Sequence, residues 1–158
     1  MLMKDARLRV MANEIHNLSR GIIVRNNYLL VCKSERGNFV YLPGGHIEYH
    51  ETAQEALVRE LEEETGMTSF IITNYLGCIE YIFNSPSKCH DHEYNFIFRV
   101  DSMLKVEDGS IRHENNLEMI WISLDNLKDI DLRPYCFKEL MSKWLQNENV
   151  GYLAVREL

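Results

Sequence analysis

The chain has 158 residues, 46% of them apolar and 26% charged, and a formal net charge of −7. That length suits one domain with a substantial buried core, and the acidic balance disfavours nucleic acid as a partner. No stretch approaches the ~20 apolar residues of a membrane-spanning helix, so no membrane partner is expected.

The opening MLMKDARLRVMANE is broken by charges and lacks the apolar core of a signal peptide, which predicts a cytoplasmic protein. The four cysteines, Cys32, Cys78, Cys89 and Cys136, form no C-x-x-C pair and read as reduced thiols. Ser19–Arg25 and Tyr28–Ser34 read as strands joined by a hairpin turn at Asn26-Asn27. A short strand, Phe39–Leu42, runs into a loop at Pro43-Gly44-Gly45. A helix follows over roughly Thr52–Thr65. Thr52 and Glu55 form a capping box at its start, and Gly66 is a left-handed stop past its end.

Ser69–Phe83 is rich in strand formers, with Gly77 a bulge or bend, and Asn84–His92 is a polar loop. In Glu93–Asp101, Tyr94, Phe96, Phe98 and Val100 alternate with Glu93, Asn95, Ile97 and Arg99, the signature of a strand. A second polar loop, about Ser102–Asn116, leads into strand Leu117–Ser123. Pro134 opens a helix to about Gln146, striped by Phe137, Leu140, Met141, Trp144 and Leu145. The tail Val150–Val155 reads as a short edge strand.

The first helix carries the chemistry. Ala53, Ala56, Leu57 and Leu61 fall on one face, and Glu60, Glu63 and Glu64 point along that same stripe. Glu62 points away with Glu51, Glu55 and Val58. A solvated acidic face accounts for Glu62 but not for the other three. Glutamates three and four apart repel, and partial burial beside a core adds a desolvation cost. A divalent cation removes both costs, and several carboxylate oxygens suit Mg²⁺, with Mn²⁺ as the alternative.

The segment GHIEYHETAQEALVRELEEETGM resembles the Nudix box, GX5EX7REUXEEXGU with U aliphatic. Gly45, Glu51, Arg59, Glu60, Leu61, Glu63, Glu64, Gly66 and Met67 fill every fixed position, and the preceding Leu42-Pro43-Gly44 is also common in that family. The resemblance implies an α/β fold, an α/β/α sandwich with a mixed β-sheet forming a single domain. It implies a Mg²⁺-dependent pyrophosphohydrolase acting on a nucleoside diphosphate linked to another moiety, a small-molecule nucleotide. Glu60, Glu63 and Glu64 would be metal ligands, with the Gly44 carbonyl a further one. Arg59 would be a brace paired to Glu51.

The general base stays open between Glu63 and a carboxylate outside the helix. Glu118 and Glu114 precede the strand with Trp121, where the family often supplies an extra glutamate; a solvated loop acid is the competing reading of each. Lys33 is a candidate phosphate contact and His46 a candidate substrate contact, with solvated side chains the alternative for both, as for His50. Tyr41, Tyr49, Tyr75 and Tyr81 are candidates to stack on a base; the resemblance singles out Tyr81, near where dinucleoside-polyphosphate Nudix enzymes carry a tyrosine, and a plain strand residue is its simpler reading. Cys89-His90-Asp91-His92 reads as a substrate-facing loop rather than a zinc site, because no second ligand pair sits at zinc spacing. The same cluster keeps open a diphosphate isomerase on this scaffold, and a nucleotide-sensing module without catalysis is the third reading. A homodimer is compatible with all three.

Overall fold

The computed structural model describes residues 14–84, 91–112 and 117–158. Its strands are β1 (His16–Ile22), β2 (Val24–Arg25), β3 (Tyr28–Lys33), β4 (Val40–Tyr41), β5 (Gly44–His46), β6 (Ile71–Phe83), β7 (His92–Asp101), β8 (Ile111–Arg112), β9 (Glu118–Ser123) and β10 (Tyr152–Glu157). The helices are α1 (Ala53–Thr65) and α2 (Cys136–Leu145). None of the described helices is long and apolar enough to cross a membrane.

The strands form two sheets. The larger runs β10-β6-β7-β1-β5 and is mixed: β10/β6 and β7/β1 are parallel, β6/β7 and β1/β5 antiparallel. The smaller runs β2-β3-β9-β8, with β4 added against β3, and is antiparallel throughout. Successive strand residues point to opposite faces, and the core divides accordingly. Ile22, Leu29, Val31, Ile97 and Ile122 pack with Phe137, Met141 and Trp144 of α2. Their neighbours Ile23, Leu30, Cys32 and Phe98 pack with Leu57 and Leu61 of α1. One helix therefore covers each face, which makes the chain an α/β/α sandwich.

Local signals account for much of this. Asn26 and Asn27 both take positive φ (49° and 65°), as a two-residue hairpin turn requires. Gly77 coincides with a register shift between β6 and β7. In α1 the Thr52 hydroxyl accepts from the Glu55 N–H at 3.2 Å, and the Glu55 carboxylate accepts from the Thr52 N–H at 2.8 Å. At the other end the Gly66 N–H reaches the Glu62 carbonyl at 2.8 Å. Thr52→Ala should cost about 1 kcal/mol in urea unfolding, the usual worth of a lost cap.

Several boundaries differ from the sequence expectation. β1 begins at His16, where it pairs with Glu93, so the first strand is set by a partner far along the chain. The Gly44-Gly45 loop is a strand, β5, held against β1. The second polar loop contains β8. α2 starts at Cys136, two residues after Pro134. The tail is a six-residue strand, Tyr152–Glu157, added in parallel to β6.

Candidate active site

A pocket of about 760 Å³ lies across the larger sheet on the α2 side. Its floor is built by register. Leu18 of β1 lies opposite Asn95 of β7, Tyr81 of β6 opposite Glu93, and Phe83 opposite Glu157 of β10, and all six line the pocket. From β5 to β10 there are four inter-strand spacings, roughly 19 Å at ~4.8 Å each. Phe39, Tyr41, Arg133 and Tyr135 form the facing wall.

The β5 end meets α1. A β-carbon on Gly45 would sit 2.6 Å from a carboxylate oxygen of Glu60, so this helix can approach the strand only because glycine is there. The Gly44 N–H donates to Glu64 Oε2 at 3.3 Å. Arg20 of β1 donates through Nη1 to the carbonyls of Leu42 (3.2 Å) and Gly44 (3.1 Å). Glu60 and Glu64 line the pocket beside it. Burial pushes the Glu64 carboxyl up to about 8, further raised by Glu60 and Glu63; Arg20 and the Gly44 N–H oppose the shift.

Arg59 organises the outer side of the helix. It donates through Nε and Nη2 to the two carboxylate oxygens of Glu51, at 3.0 and 2.7 Å. Nη1 reaches Glu60 at 3.0 Å and Glu63 at 3.5 Å, and Nη2 also donates to the His46 carbonyl at 3.0 Å. The guanidinium and the Glu48 N–H hold the Glu51 carboxyl below the usual carboxylate range. One side chain thus ties α1 to β5 and to the turn between them. Lysine has a single point charge and cannot reproduce this fork. Arg59→Lys should loosen the join between α1, β5 and the turn that carries Glu51, read as a lower melting temperature.

The carboxylates are not equivalent. The Glu60 side chain is 21% exposed and that of Glu63 is 62% exposed; Glu60 and Glu64 line the pocket and Glu63 lies outside its lining. Among the described residues no three acidic, histidine or cysteine side chains already converge as a metal site. Arg59 holds Glu60 and Glu63 while Gly44 holds Glu64.

Other sequence candidates scatter. His46 ends β5 and lines the pocket, its Nε2 3.0 Å from Nδ1 of His16. Tyr81 lines the floor, buried, and donates to Glu157 Oε2 at 2.6 Å. Lys33 and Glu118 are cross-strand partners in the smaller sheet, 3.5 Å apart, and neither lines the pocket. Glu118 is also paired to Arg112 at 3.1 Å, which holds its carboxyl below the usual range. His92 is not a loop residue. It opens β7 and pairs with Glu80 at 2.7 Å, on the sheet face opposite Tyr81. Cys89, His90 and Glu114 lie outside the described residues. Among the described cysteines, Cys32, Cys78 and Cys136 are free thiols.

The pocket recruits residues that the sequence reading did not single out: Arg20, Phe39, Glu93, Asn95, Arg133, Tyr135 and Glu157. One signal was available. Arg20 interrupts the alternation of Leu18 and Ile22 on the buried face of β1, and a charge on such a face asks for a partner.

These features define an α/β protein with an acidic, helix-borne site at one end of a long pocket. A family model described as the NUDIX domain matches residues 15–144, and the chain belongs to the Nudix family. It is 35% identical over 85 residues to an ADP-ribose pyrophosphatase of Methanocaldococcus jannaschii, a match covering 51% of this chain and 47% of that protein. The chain therefore spans about half the length of that relative. It is 28% identical over 139 residues to an RNA pyrophosphohydrolase of Pelagibacter ubique, covering 78% of this chain and 87% of the relative. The fold is that of the MutT protein of Bacillus halodurans, with a TM-score of 0.66, 20% identity and 89% of each chain covered.

Proposed function

We propose that this chain is a Mg²⁺-dependent hydrolase of a phosphoanhydride bond in a nucleoside diphosphate linked to another moiety. The observation that carries the reading is the meeting of Glu60 and Glu64 with the Gly44-Gly45 strand at one end of a nucleotide-sized pocket. The ADP-ribose, RNA-end and 8-oxo-dGTP activities named for relatives all break phosphoanhydrides, which supports the bond type and leaves the leaving group open.

The residues fit a hard cation. Glu64 is a partly buried carboxyl beside Glu60 and Glu63, and the Glu60 carboxylate packs where a β-carbon on Gly45 would stand. Glu60, Glu63, Glu64 and the Gly44 carbonyl would hold Mg²⁺, with Mn²⁺ as the alternative. Bound there, the ion would polarise phosphate oxygens and acidify a water.

The protein's own part is positioning. Arg59 and Glu51 fix the pitch of α1 against β5, so the carboxylates keep one orientation. Glu63, exposed and within 3.5 Å of Arg59 Nη1, is the proposed acceptor of the attacking water's proton. Glu118 is a poorer base because Lys33 and Arg112 hold its charge in the smaller sheet, on a different element from the carboxylates of α1.

The test is product detection from nucleoside triphosphates, ADP-ribose, nucleotide sugars and diadenosine polyphosphates, with Mg²⁺, Mn²⁺ or chelator. Cleavage of one compound that stops in chelator is the expected result. Undiminished cleavage in chelator, or none under either metal, would overturn the reading.

A further inference from the structure

The two sheets end on strands of unequal length. Among the described residues the smaller sheet ends on β2 and β8, of two residues each, and the larger on β5, of three, and β10, of six. Short outer strands are one way in which proteins keep their sheets from pairing with one another. β10 departs from that rule. Its sequence, YLAVRE, holds no proline and no lysine, and its register on β6 runs without a bulge from Tyr152 opposite Cys78 to Glu157 opposite Phe83. Tyr152 is 60% exposed and Leu153 37% exposed.

The main chain shows which groups are open. The Cys78 N–H donates to the Gly151 carbonyl at 2.8 Å, so in this parallel ladder the N–H and C=O groups of Leu153, Val155 and Glu157 turn to β6. Those of Tyr152, Ala154 and Arg156 turn outward, and no described strand pairs with them. The side chains of Tyr152, Ala154 and Arg156 share one face with Glu80, and those of Leu153 and Val155 the other.

This edge is complementary to itself. Turned antiparallel about a two-fold axis at Ala154, a second β10 sets Tyr152 opposite Arg156 and Arg156 opposite Tyr152. Each opposed pair then exchanges both of its main-chain hydrogen bonds. Leu153 meets Val155 on the α2 face. On the other face Glu80 accepts from the Tyr152 hydroxyl and from that of Tyr94 at 2.9 Å, and lies 2.7 Å from His92 Nε2. These partners hold its carboxyl below the usual carboxylate range, so it is an anion at neutral pH. Among the described residues the Arg156 side chain has no ion-pair partner in its own chain. Across the axis it meets the Tyr152 ring and, beyond it, the Glu80 carboxylate. Any strand offers main-chain groups, but β10 itself brings an aliphatic to Leu153 and a cation to Tyr152 at the spacing required.

We propose that β10 is a dimerisation edge, through which two copies of this chain pair antiparallel over Tyr152–Arg156 and join their larger sheets across a two-fold axis. One strand pair is a small interface, so the dimer should dissociate on dilution.

Sedimentation equilibrium on the full chain, without metal or nucleotide, should read a mass rising from one chain toward two between about 1 μM and about 1 mM. Hydrogen exchange should slow over the same range at the amides of Tyr152, Ala154 and Arg156, while those of Leu153 and Val155, already bonded to β6, stay unchanged. Ala154→Pro removes an outward N–H and leaves the β6 ladder whole, so it should hold the protein at one chain. Arg156→Glu, which keeps the strand and sets an anion toward Glu80, should weaken the dimer at least about tenfold; it decides the matter if the proline variant fails to fold. A mass of one chain at about 1 mM overturns the proposal. So does a dimer that Arg156→Glu leaves at full strength, or protection of the outward amides that does not change with concentration, since another surface or another segment then covers the edge.

Discussion

Glu63→Gln should cut turnover by about 10²–10⁴, the usual worth of a positioned base, and leave the melting temperature unchanged. Glu64→Gln should also remove most turnover, at least about a hundredfold if ligands outweigh their outer partners, yet it should raise the melting temperature of the metal-free protein. The difference follows from where the two side chains sit. Glu63 is 62% exposed and its contact with Arg59 is a long one, 3.5 Å, so neutralising it changes stability little. Glu64 is partly buried beside Glu60, where it accepts a 3.3 Å hydrogen bond from the Gly44 N–H.

The pH dependence has a definite sign. Glu64 ionises near 4.5 when unfolded and near 8 when folded. Its contribution to stability is full below the lower value and lost as pH rises through the upper one. The advantage of the Gln variant over the parent should therefore grow from pH 5 to pH 8 and then level off, as read by calorimetry in chelator. A variant that melts no higher and retains full turnover would remove Glu64 from the site.

Gly44→Ala should be the most damaging small substitution in the pocket, costing about 2–4 kcal/mol from added backbone strain and overpacking. Gly44 has φ of +128°, and a β-carbon there would overlap the Ser19 carbonyl oxygen of β1 and come within 3.1 Å of Leu57. The obstacle is main chain in a central strand, which cannot swing aside. Gly45→Ala meets only the far end of the Glu60 side chain. That chain can move, so stability should change little while turnover falls. Urea unfolding read beside activity separates the two: one variant loses the strand, the other a carboxylate. Equal stability of Gly44→Ala and the parent would contradict the strand register.

What could be read from the sequence was what local interactions decide. The capping box, the Asn26-Asn27 turn, the Gly77 bulge and the stripe of α1 each depend on residues a few positions apart. β5 was hidden because its residues, Gly44, Gly45 and His46, have no strand propensity; it exists because β1 lies alongside. The split into two sheets was hidden for the same reason, since pairing between distant strands leaves no local trace. At the site, the carboxylates of α1 were legible as one contiguous motif. Glu93, Asn95, Arg133 and Glu157 were not, because they meet only when β7, β10 and the turn before α2 come together. The alternation in β7 did contain a clue: its polar set faces the pocket, and Asn95 and Ile97 within it are buried.

The floor of the pocket draws its two ends from different sources. The β5 end comes from a single unbroken stretch, Gly44 to Glu64, tied within itself by Arg59 and Glu64 and held along β1. The rest is assembled from short, separate pieces: Glu93 accepts from Asn95, Glu157 from Tyr81 and Asp131 from Arg133, and none of these hydrogen bonds runs to α1. Mutational drift can therefore act on the two halves independently. On the proposed function, changes at the far strands would alter which molecule is accepted more than how it is cut. A library randomised at Glu93, Arg133, Tyr135 and Glu157 on an otherwise fixed chain is the natural starting point for evolving new selectivity.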